Sequence, residues 1–503
     1  MPGARLPIVY IRGYAGGTSG IEQAVTDPFY GFNEGSTHVR VGFDDAPVFY
    51  QFESPLLRLH LDEGYQILVD GGQMAYLDSH HDIPPESIWI HRFYDTSSGT
   101  WGDKPQQYRL EAAALDLLAL IEKLQERTGA PRVHLVAHSM GGLIARCLLQ
   151  KTIPDERPGR RPGDYVDKLF TYGTPHGGIT FDVGLGLFEK VRDTLGVDGS
   201  DVFGPHRMYE YLTPRAQLDP DGPGEDWHAR EMPDGPDAFP RERVFCLVGT
   251  DPTDYDVAHG LSAAAVGASS DGLVRIENAQ VPGAHRAYVH RSHSGRYGLV
   301  NSEEGYQNLR RFLFGDLRVD AALTGLDVTA EEDVRWQAEV KLSVRGLVVV
   351  THEQVAAHWC PIQLPPTAGG ATVDVPLTST FLSTGLSRPE GADTLRYALH
   401  LRLLSLRQHH GLFRFLDHLE QAADFDDILI IDVGTDDAGR PATWAAWNSV
   451  SRGAIRDHRP TGAPIGDEDP AAGAWLAHIR LPSTTCPILG PDARLRLSVS
   501  AWN

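Results

Sequence analysis

The stretch VHLVAHSMGGLIAR, residues 133–146, restricts the fold more than any other part of the chain, because it joins an apolar strand to a helix through a serine. A chain bends sharply at such a joint, so the hydroxyl group of Ser139 projects at the carboxyl end of a sheet. The small residues Ala137 and Gly141, two positions to either side, relieve the crowding there. The Met140 N–H lies at the helix N-terminus, where backbone donors and the helix dipole favour negative charge. The stretch therefore predicts a projecting serine beside a site that stabilises an anion.

Short apolar runs alternate with helical patterns through the first three-fifths of the chain. The runs are Ile8–Ile11, Ile67–Val69, Ile88–Ile90, Val133–Val136, Leu169–Tyr172 and Val244–Val248. Continuous apolar runs of this length are typical of buried parallel strands. Between residues 109 and 128 apolar side chains recur at steps of three and four, as in an amphipathic helix. The alternation predicts an α/β fold, a doubly wound and mainly parallel sheet with helices on both faces.

A different pattern begins after residue 316. Apolar and polar residues alternate over 334–345, and again over 395–403, 475–479 and 495–499. A period of two is typical of half-buried strands. We therefore predict two domains: an α/β domain of residues 1–316 and a β-rich accessory domain of residues 317–503, built as a mainly antiparallel β-sandwich.

Residues 178–241 interrupt the first domain. They are rich in Gly, Pro and Asp, and an apolar segment around Val183 to Leu195 could form a short helix. We interpret this region as an insertion. It is either a cap over the site at Ser139 or a surface loop with no gating role.

Composition excludes several classes of function. The chain has 503 residues and a net charge of −22, which argues against a nucleic-acid partner and against attraction to anionic membrane surfaces. It lacks the run of about 18 apolar residues that a transmembrane helix needs. The start, MPGARLP, leads directly into an apolar strand without room for a secretion signal, so a cytoplasmic location is expected.

The spacing of the cysteines and histidines does not match that of metal ligands. The four cysteines are scattered, so reduced thiols are expected: Cys147, Cys246, Cys360 and Cys486. The histidine clusters at 80–82 and 409–410 lack a helical His-x-x-x-His pair with a nearby acid. We expect no metal and no cofactor.

The serine stretch resembles the α/β-hydrolase superfamily of lipases and esterases, whose usual motif is Gly-x-Ser-x-Gly. Ala137 departs from that motif, but some bacterial lipases have the same Ala-His-Ser-Met-Gly string. A second string, YGTPHGG at 172–178, is close to a Gly-Thr-Pro-His-x-Gly segment that follows a strand in many lipases. The resemblance implies that His176 is structural and shapes the pocket wall.

The first strand leads into the glycine-rich turn IRGYAGG, residues 11–17. Related lipases have His-Gly and then an apolar residue here, and the N–H after that glycine binds the oxyanion. The resemblance therefore implies that Tyr14 and Met140 form the oxyanion hole. Arg12 replaces the expected histidine, which leaves the backbone function possible and removes the usual side chain.

A serine nucleophile needs a base to accept its proton and a carboxylate to orient that base. In the superfamily these residues follow in the order Ser, Asp or Glu, His. The segment SSDGLV, residues 269–274, matches the Asp-Gly-x-Val turn that carries the acid in many lipases, which implies Asp271. Asp251 and Asp254, directly after the strand at 244–248, are alternatives.

Three histidines downstream of Asp271 are candidates for the base: His285, His290 and His293. The string around His293 precedes an apolar helix and resembles the histidine-bearing loop before the last helix of these enzymes. The resemblance implies His293 as the base, with His290 as the second choice.

This machinery predicts an esterase or lipase that acts through an acyl-enzyme on small-molecule or lipid esters with a hydrophobic acyl group. Two alternatives remain. An acyltransferase would use the same residues and pass the acyl group to an alcohol or amine. A non-catalytic binding protein would keep the fold alone. The sequence does not determine the oligomeric state.

Overall fold

The apolar runs of the first three-fifths of the chain become the strands of one sheet. The computed structural model describes residues 5–13, 18–41, 46–68, 73–95, 109–179, 202–253, 268–328, 334–367, 374–385, 394–409, 418–435, 441–451, 455–471 and 473–502. Its first strands are β1 (Ile8–Ile11), β2 (Ser36–Val41), β3 (Pro47–Phe52), β4 (Gln66–Ile67), β5 (Ser87–Ile90), β6 (Val133–His138), β7 (Val166–Tyr172), β8 (Val244–Gly249) and β9 (His285–Val289).

Seven of these strands form a sheet in the order β4-β5-β1-β6-β7-β8-β9. The neighbouring pairs from β4 to β8 run parallel. Every residue of β1, β5, β7 and β8 is buried, which explains why these strands have continuous rather than alternating apolar runs. β2 and β3 form a separate antiparallel hairpin. The predicted α/β fold is confirmed.

Helices connect the strands. They are α1 (Thr18–Thr26), α2 (Pro55–Glu63), α3 (Gln73–Ser79), α4 (Leu110–Thr128), α5 (Met140–Cys147), α6 (Ile153–Glu156), α7 (Pro205–Leu212) and α8 (Glu303–Phe314). The helix predicted over 109–128 is α4, which ends at Gly129 in the left-handed conformation. A π-helical turn, Leu148–Thr152, joins α5 to α6. None of the helices in the described parts of the chain has the length and apolar character needed to span a bilayer.

The remaining strands form two antiparallel sheets. The strands are β10 (Leu317–Thr324), β11 (Val334–Val344), β12 (Val350–Gln354), β13 (Ile362–Leu364), β14 (Val375–Leu382), β15 (Leu395–His409), β16 (His418–Thr435), β17 (Pro441–Trp447), β18 (Trp475–Arg480) and β19 (Arg494–Ala501), with one short helix, α9 (Cys486–Leu489). The sheets have the orders β14-β10-β19-β18 and β12-β11-β15-β16-β17, and β13 also pairs with β11. Side chains from both sheets, such as Leu497 of β19 and Leu401 of β15, share one core. The predicted β-rich C-terminal part is therefore confirmed.

Contacts between residues divide the chain into two compact units. One consists of Ala4–Arg286 and His290–Leu309, and the other contains Ala287–Val289 and Arg310–Asn503. The domain limits 1–316 and 317–503 stay predictions. So does the cap at 178–241, in which the segment from Val183 to Leu195 lies outside the described residues. All four cysteines are free thiols.

A buried arginine anchors part of the predicted insertion to α5. Arg146 is fully buried, and its guanidinium donates to the carbonyl oxygens of Ala229 at 2.8 Å and Glu231 at 2.7 Å. It also donates to the His176 carbonyl at 3.1 Å and to Gln150 Oε1 at 2.8 Å. Burial lowers the pKa of Arg146 to about 10, which leaves the side chain charged at neutral pH.

We expect Arg146→Met to destabilise the α/β unit by about 3 kcal/mol, because the change leaves buried carbonyl groups without their charged donor. Arg160→Met is the control. Arg160 is 57% exposed and forms a surface ion pair with Asp164, so its loss should cost less than about 1 kcal/mol. Urea unfolding followed by tryptophan fluorescence measures both. Equal effects of the two changes would refute an anchoring role for Arg146.

A buried histidine makes the stability of this unit depend on pH. His91 follows β5, is 4% exposed, and its Nε2 donates to the Ala113 carbonyl of α4 at 2.8 Å. Burial lowers the pKa of His91 to about 4, from 6.5 for an ordinary histidine. The unfolded chain therefore binds a proton below pH 6.5 that the folded chain does not bind until about pH 4. Stability from this group is complete above pH 6.5 and declines as the pH falls towards 4.

His91→Gln keeps a hydrogen-bond donor and cannot titrate. Between about pH 7 and pH 5 we therefore expect the variant to lose about 2 kcal/mol less stability than the wild type loses. The measurement is urea unfolding of both proteins at the two pH values. Parallel losses in the wild type and the variant would show that His91 does not contribute.

Candidate active site

Ser139 has a backbone conformation that few residues other than glycine adopt. Its φ is 54° and its ψ is −127°, between the end of β6 and the start of α5. A non-glycine residue held in such a region stores about 1–3 kcal/mol of strain, so the surrounding structure must hold it there. The Ser139 N–H donates to the Tyr172 carbonyl of β7 at 2.9 Å, and the Ser139 carbonyl accepts from the Gly142 N–H at 3.0 Å. The strained turn places the hydroxyl at the carboxyl end of the sheet, as the sequence predicts.

Glycines let the backbone of β1 and its following turn approach this joint. A Cβ on Gly141 would lie 2.6 Å from the Arg12 carbonyl oxygen and would also overlap the Ile11 carbonyl oxygen. A Cβ on Gly13 would lie 2.6 Å from the Cβ of Ser139. No side chain fits at either position. The turn after β1 is therefore packed directly against the serine.

His293 lies between Ser139 and Asp271. Its Nε2 is 2.9 Å from Ser139 Oγ, and its Nδ1 is 2.8 Å from Asp271 Oδ2. A carboxylate only accepts hydrogen bonds, so Nδ1 carries the proton and Nε2 is free to accept the hydroxyl proton of Ser139. The structure thus brings together the three residues that the resemblance implies, separated along the sequence by 154 and 22 positions.

Backbone hydrogen bonds hold the buried Asp271 side chain in place. It is 1% exposed, and its Oδ1 accepts hydrogen bonds from the N–H groups of Leu273 at 3.0 Å and Val274 at 2.8 Å. The other oxygen is left for His293. The His293 N–H in turn donates to the Asp271 carbonyl at 2.8 Å, so backbone and side chain bind the two residues together. The charge-assisted bonds compensate the burial of the carboxylate.

The alternative acids and bases have other contacts. Asp251 accepts through Oδ1 from the N–H and the hydroxyl of Thr253, at 2.8 and 2.5 Å. Asp254 lies outside the described residues. His290 is exposed, and its Nδ1 is 3.4 Å from Thr250 Oγ1. His285 lies on β9. The ring adjacent to the Ser139 hydroxyl is that of His293.

The resemblance implies two N–H groups as oxyanion donors, and the structure describes one of them. Met140 begins α5, so its N–H has no acceptor within the helix and lies next to Ser139. Tyr14 lies outside the described residues, although the preceding Gly13 contacts Ser139. The Arg12 guanidinium turns to the Tyr30 carbonyl, to which Nη2 donates at 2.8 Å. Burial lowers the pKa of Arg12.

A second histidine packs against His293. The ring centroid of His138 lies 4.9 Å from that of His293, and its Nε2 is 2.9 Å from the His293 carbonyl oxygen, to which it can only donate. Burial first, and then the neighbouring His293, lower the pKa of His138 to about 3. His138 is therefore neutral at physiological pH. Its place in the Ala-His-Ser-Met-Gly string gives no sign of this contact.

His176 contacts side chains of β7 and β8. It is fully buried, and its Nε2 is 3.2 Å from Thr171 Oγ1 and 3.6 Å from Cys246 Sγ. Burial lowers the pKa of His176, so its ring is neutral. These contacts fit a structural residue.

Comparison with known proteins points to one fold. Residues 88–191 match the model of a family described as having the alpha/beta hydrolase fold. This match includes β5, α4 and the joint at Ser139. No curated protein matches the chain.

Solved structures resemble the chain weakly. The product of the gene lin2722 from Listeria innocua has 15% identity and a TM-score of 0.26, over 62% of this chain and 94% of that one. A protein from Lactobacillus plantarum, whose name describes it as a cell surface hydrolase, has 12% identity and a TM-score of 0.25, over 62% and 92%. The strand order of the parallel sheet, the strained serine at its carboxyl end and the match over residues 88–191 agree on an α/β-hydrolase fold.

Proposed function

We propose that the protein is a serine hydrolase of carboxylic esters, with Ser139 as the nucleophile, His293 as the base and Asp271 as the carboxylate that orients it. One observation carries this proposal: the hydrogen bonds from Ser139 to His293 at 2.9 Å and from His293 to Asp271 at 2.8 Å. All three residues are at most 4% exposed, so they interact in a site of low dielectric where their electrostatic effects are strong.

The first half of the reaction forms an acyl-enzyme. Ser139 Oγ attacks the ester carbonyl carbon while His293 Nε2 accepts the hydroxyl proton. The carbonyl oxygen becomes an oxyanion, which the N–H groups of Met140 and Tyr14 stabilise. Asp271 stabilises the imidazolium that forms. The tetrahedral intermediate then collapses, and His293 returns the proton to the leaving alcohol.

The second half releases the acid. A water molecule attacks the acyl-enzyme, His293 accepts its proton, and the acyl–oxygen bond to Ser139 breaks as Ser139 regains its proton. The complete cycle consumes one ester and one water molecule and returns the three side chains to their starting states. The lipase-like strings favour a hydrophobic acyl group on a small-molecule or lipid ester. The predicted cap at 178–241 and the cytoplasmic location remain expectations from the sequence.

We expect a fluorophosphonate probe to label Ser139, as read by peptide mass spectrometry, and the purified protein to hydrolyse p-nitrophenyl esters. Ser139→Ala should lose the labelling and lower kcat by about 10⁴-fold or more, because no other group supplies the nucleophile. Ser294→Ala, in the loop of His293, is the matched control and should keep both activities. Turnover that survives in Ser139→Ala would rule out the proposal.

Paired variants test the acid and the base. Asp271→Asn should lower kcat by about 10³- to 10⁴-fold, because the amide can hold His293 in the wrong tautomer. Asp251→Asn should leave most of kcat. Likewise His293→Gln should abolish turnover, whereas His290→Gln should retain it. Steady-state kinetics on the four variants, with circular dichroism to check folding, decide between the pairs. A larger loss of kcat in the Asp251 variant would assign the role of the acid to Asp251, and a larger loss in the His290 variant would assign the role of the base to His290.

A further inference from the structure

Thr174 contacts the carbonyl group of the serine. It lies in the YGTPHGG string directly after β7 and Gly173, and it is fully buried. Its Oγ1 donates to the Ser139 carbonyl oxygen at 2.9 Å. The same oxygen accepts from the Gly142 N–H at 3.0 Å. Two donors from different segments of the chain thus fix the position of this oxygen.

The position of this oxygen determines the direction of the Met140 N–H. The Ser139 carbonyl and the Met140 N–H belong to one peptide group, which is planar and trans, so they point in opposite directions. The peptide group can only turn as a unit, by rotation about the Ser139 ψ and the Met140 φ. Holding the carbonyl oxygen at Thr174 therefore holds the N–H towards the opposite side.

Orientation matters here because an oxyanion donor acts over a narrow range. Such a donor must lie about 2.7–3.1 Å from the oxyanion to stabilise it. The Met140 N–H is the first of α5 and has no partner in the helix that could orient it. The Ser139 backbone is also strained at φ 54°, so it will relax unless external contacts hold it.

The Thr174 side chain is itself firmly held. Its carbonyl accepts from the His176 N–H at 2.8 Å, and the preceding Gly173 donates to the Leu247 carbonyl of β8 at 2.9 Å. A Cβ on Gly142 would lie 2.5 Å from Thr174 Cγ2 and would overlap its Oγ1. Thr174 therefore packs against the backbone of α5 at a position where only glycine leaves room for it.

We propose that Thr174 is a positioning residue for the oxyanion hole: its hydroxyl group orients the Ser139–Met140 peptide so that the Met140 N–H points at the developing oxyanion. This inference rests on the proposed function. Thr174 acts through Met140 and does not contact the substrate. Its effect should therefore be on the transition state, not on substrate binding.

Thr174→Val removes the hydroxyl group and keeps the shape. We expect kcat for a p-nitrophenyl ester to fall about 10- to 100-fold, and KM to change by less than about twofold. This fall in kcat is no larger than the one caused by removing a whole oxyanion donor. An alkyl boronic acid forms a tetrahedral adduct with a reactive serine, so its inhibition constant should rise by the same factor as kcat/KM falls. Rates are expressed per active site, counted by fluorophosphonate titration.

Thr171→Val is the matched control. Thr171 is also fully buried, but its Oγ1 donates to the Phe245 carbonyl at 3.1 Å rather than to Ser139. Both variants should lose similar stability, and only the Thr174 variant should lose kcat. Thr174→Ser, which restores the hydroxyl group, should regain most of kcat. Thr174→Ala should remain as slow as Thr174→Val, and this Ser/Ala comparison replaces the Val variant if that variant does not fold.

The outcomes separate the two proposals. A wild-type protein without turnover or labelling would defeat the proposed function itself. A wild-type protein with turnover, together with full kcat per active site in Thr174→Val or equal rates in Thr174→Ser and Thr174→Ala, would overturn the positioning role and leave the esterase proposal intact.

Discussion

The site depends on the backbone of one residue, Ser139, which is held at a positive φ between β6 and α5. The strain of about 1–3 kcal/mol persists because contacts from three sides oppose its release. Its N–H is bound by β7, its carbonyl by Thr174 and Gly142, and its Cβ is in contact with the turn at Gly13. These contacts hold the hydroxyl group and the Met140 N–H in place before any substrate arrives. Groups fixed in this way need no reorganisation when charge develops.

The charges around the serine suit the single proton transfer of the proposed reaction. Asp271 is buried, and two backbone N–H groups bind its first carboxylate oxygen, which leaves the second oxygen for His293. His138, although packed against His293, is neutral because burial lowers its pKa to about 3. A second positive charge at that position would oppose protonation of His293. The neutral ring instead donates to the His293 carbonyl and holds its loop.

The sequence predicted much of this arrangement. The parallel strands follow from continuous apolar runs, and the joint at Ser139 from a strand, a serine and a helix in immediate succession. Asp271 and His293 were implied by resemblance, since their spacing carries no signal of contact. The bonds of His138 and Thr174 were not foreseen, because they join segments 155 and 35 residues apart. A buried threonine or histidine has the same sequence signature whether it holds a backbone carbonyl or fills a core.

Helix α5 connects the chemistry to the stability of the fold. All eight of its residues are buried, so it packs as a rigid element and cannot shift without disturbing the sheet. Its first residue provides the proposed oxyanion donor. Arg146, near its end, holds the carbonyl groups of Ala229 and Glu231. The same helix that carries strain at its N-terminus is thus bound at its C-terminal end by charged hydrogen bonds, which are among the stronger ones available in a protein interior.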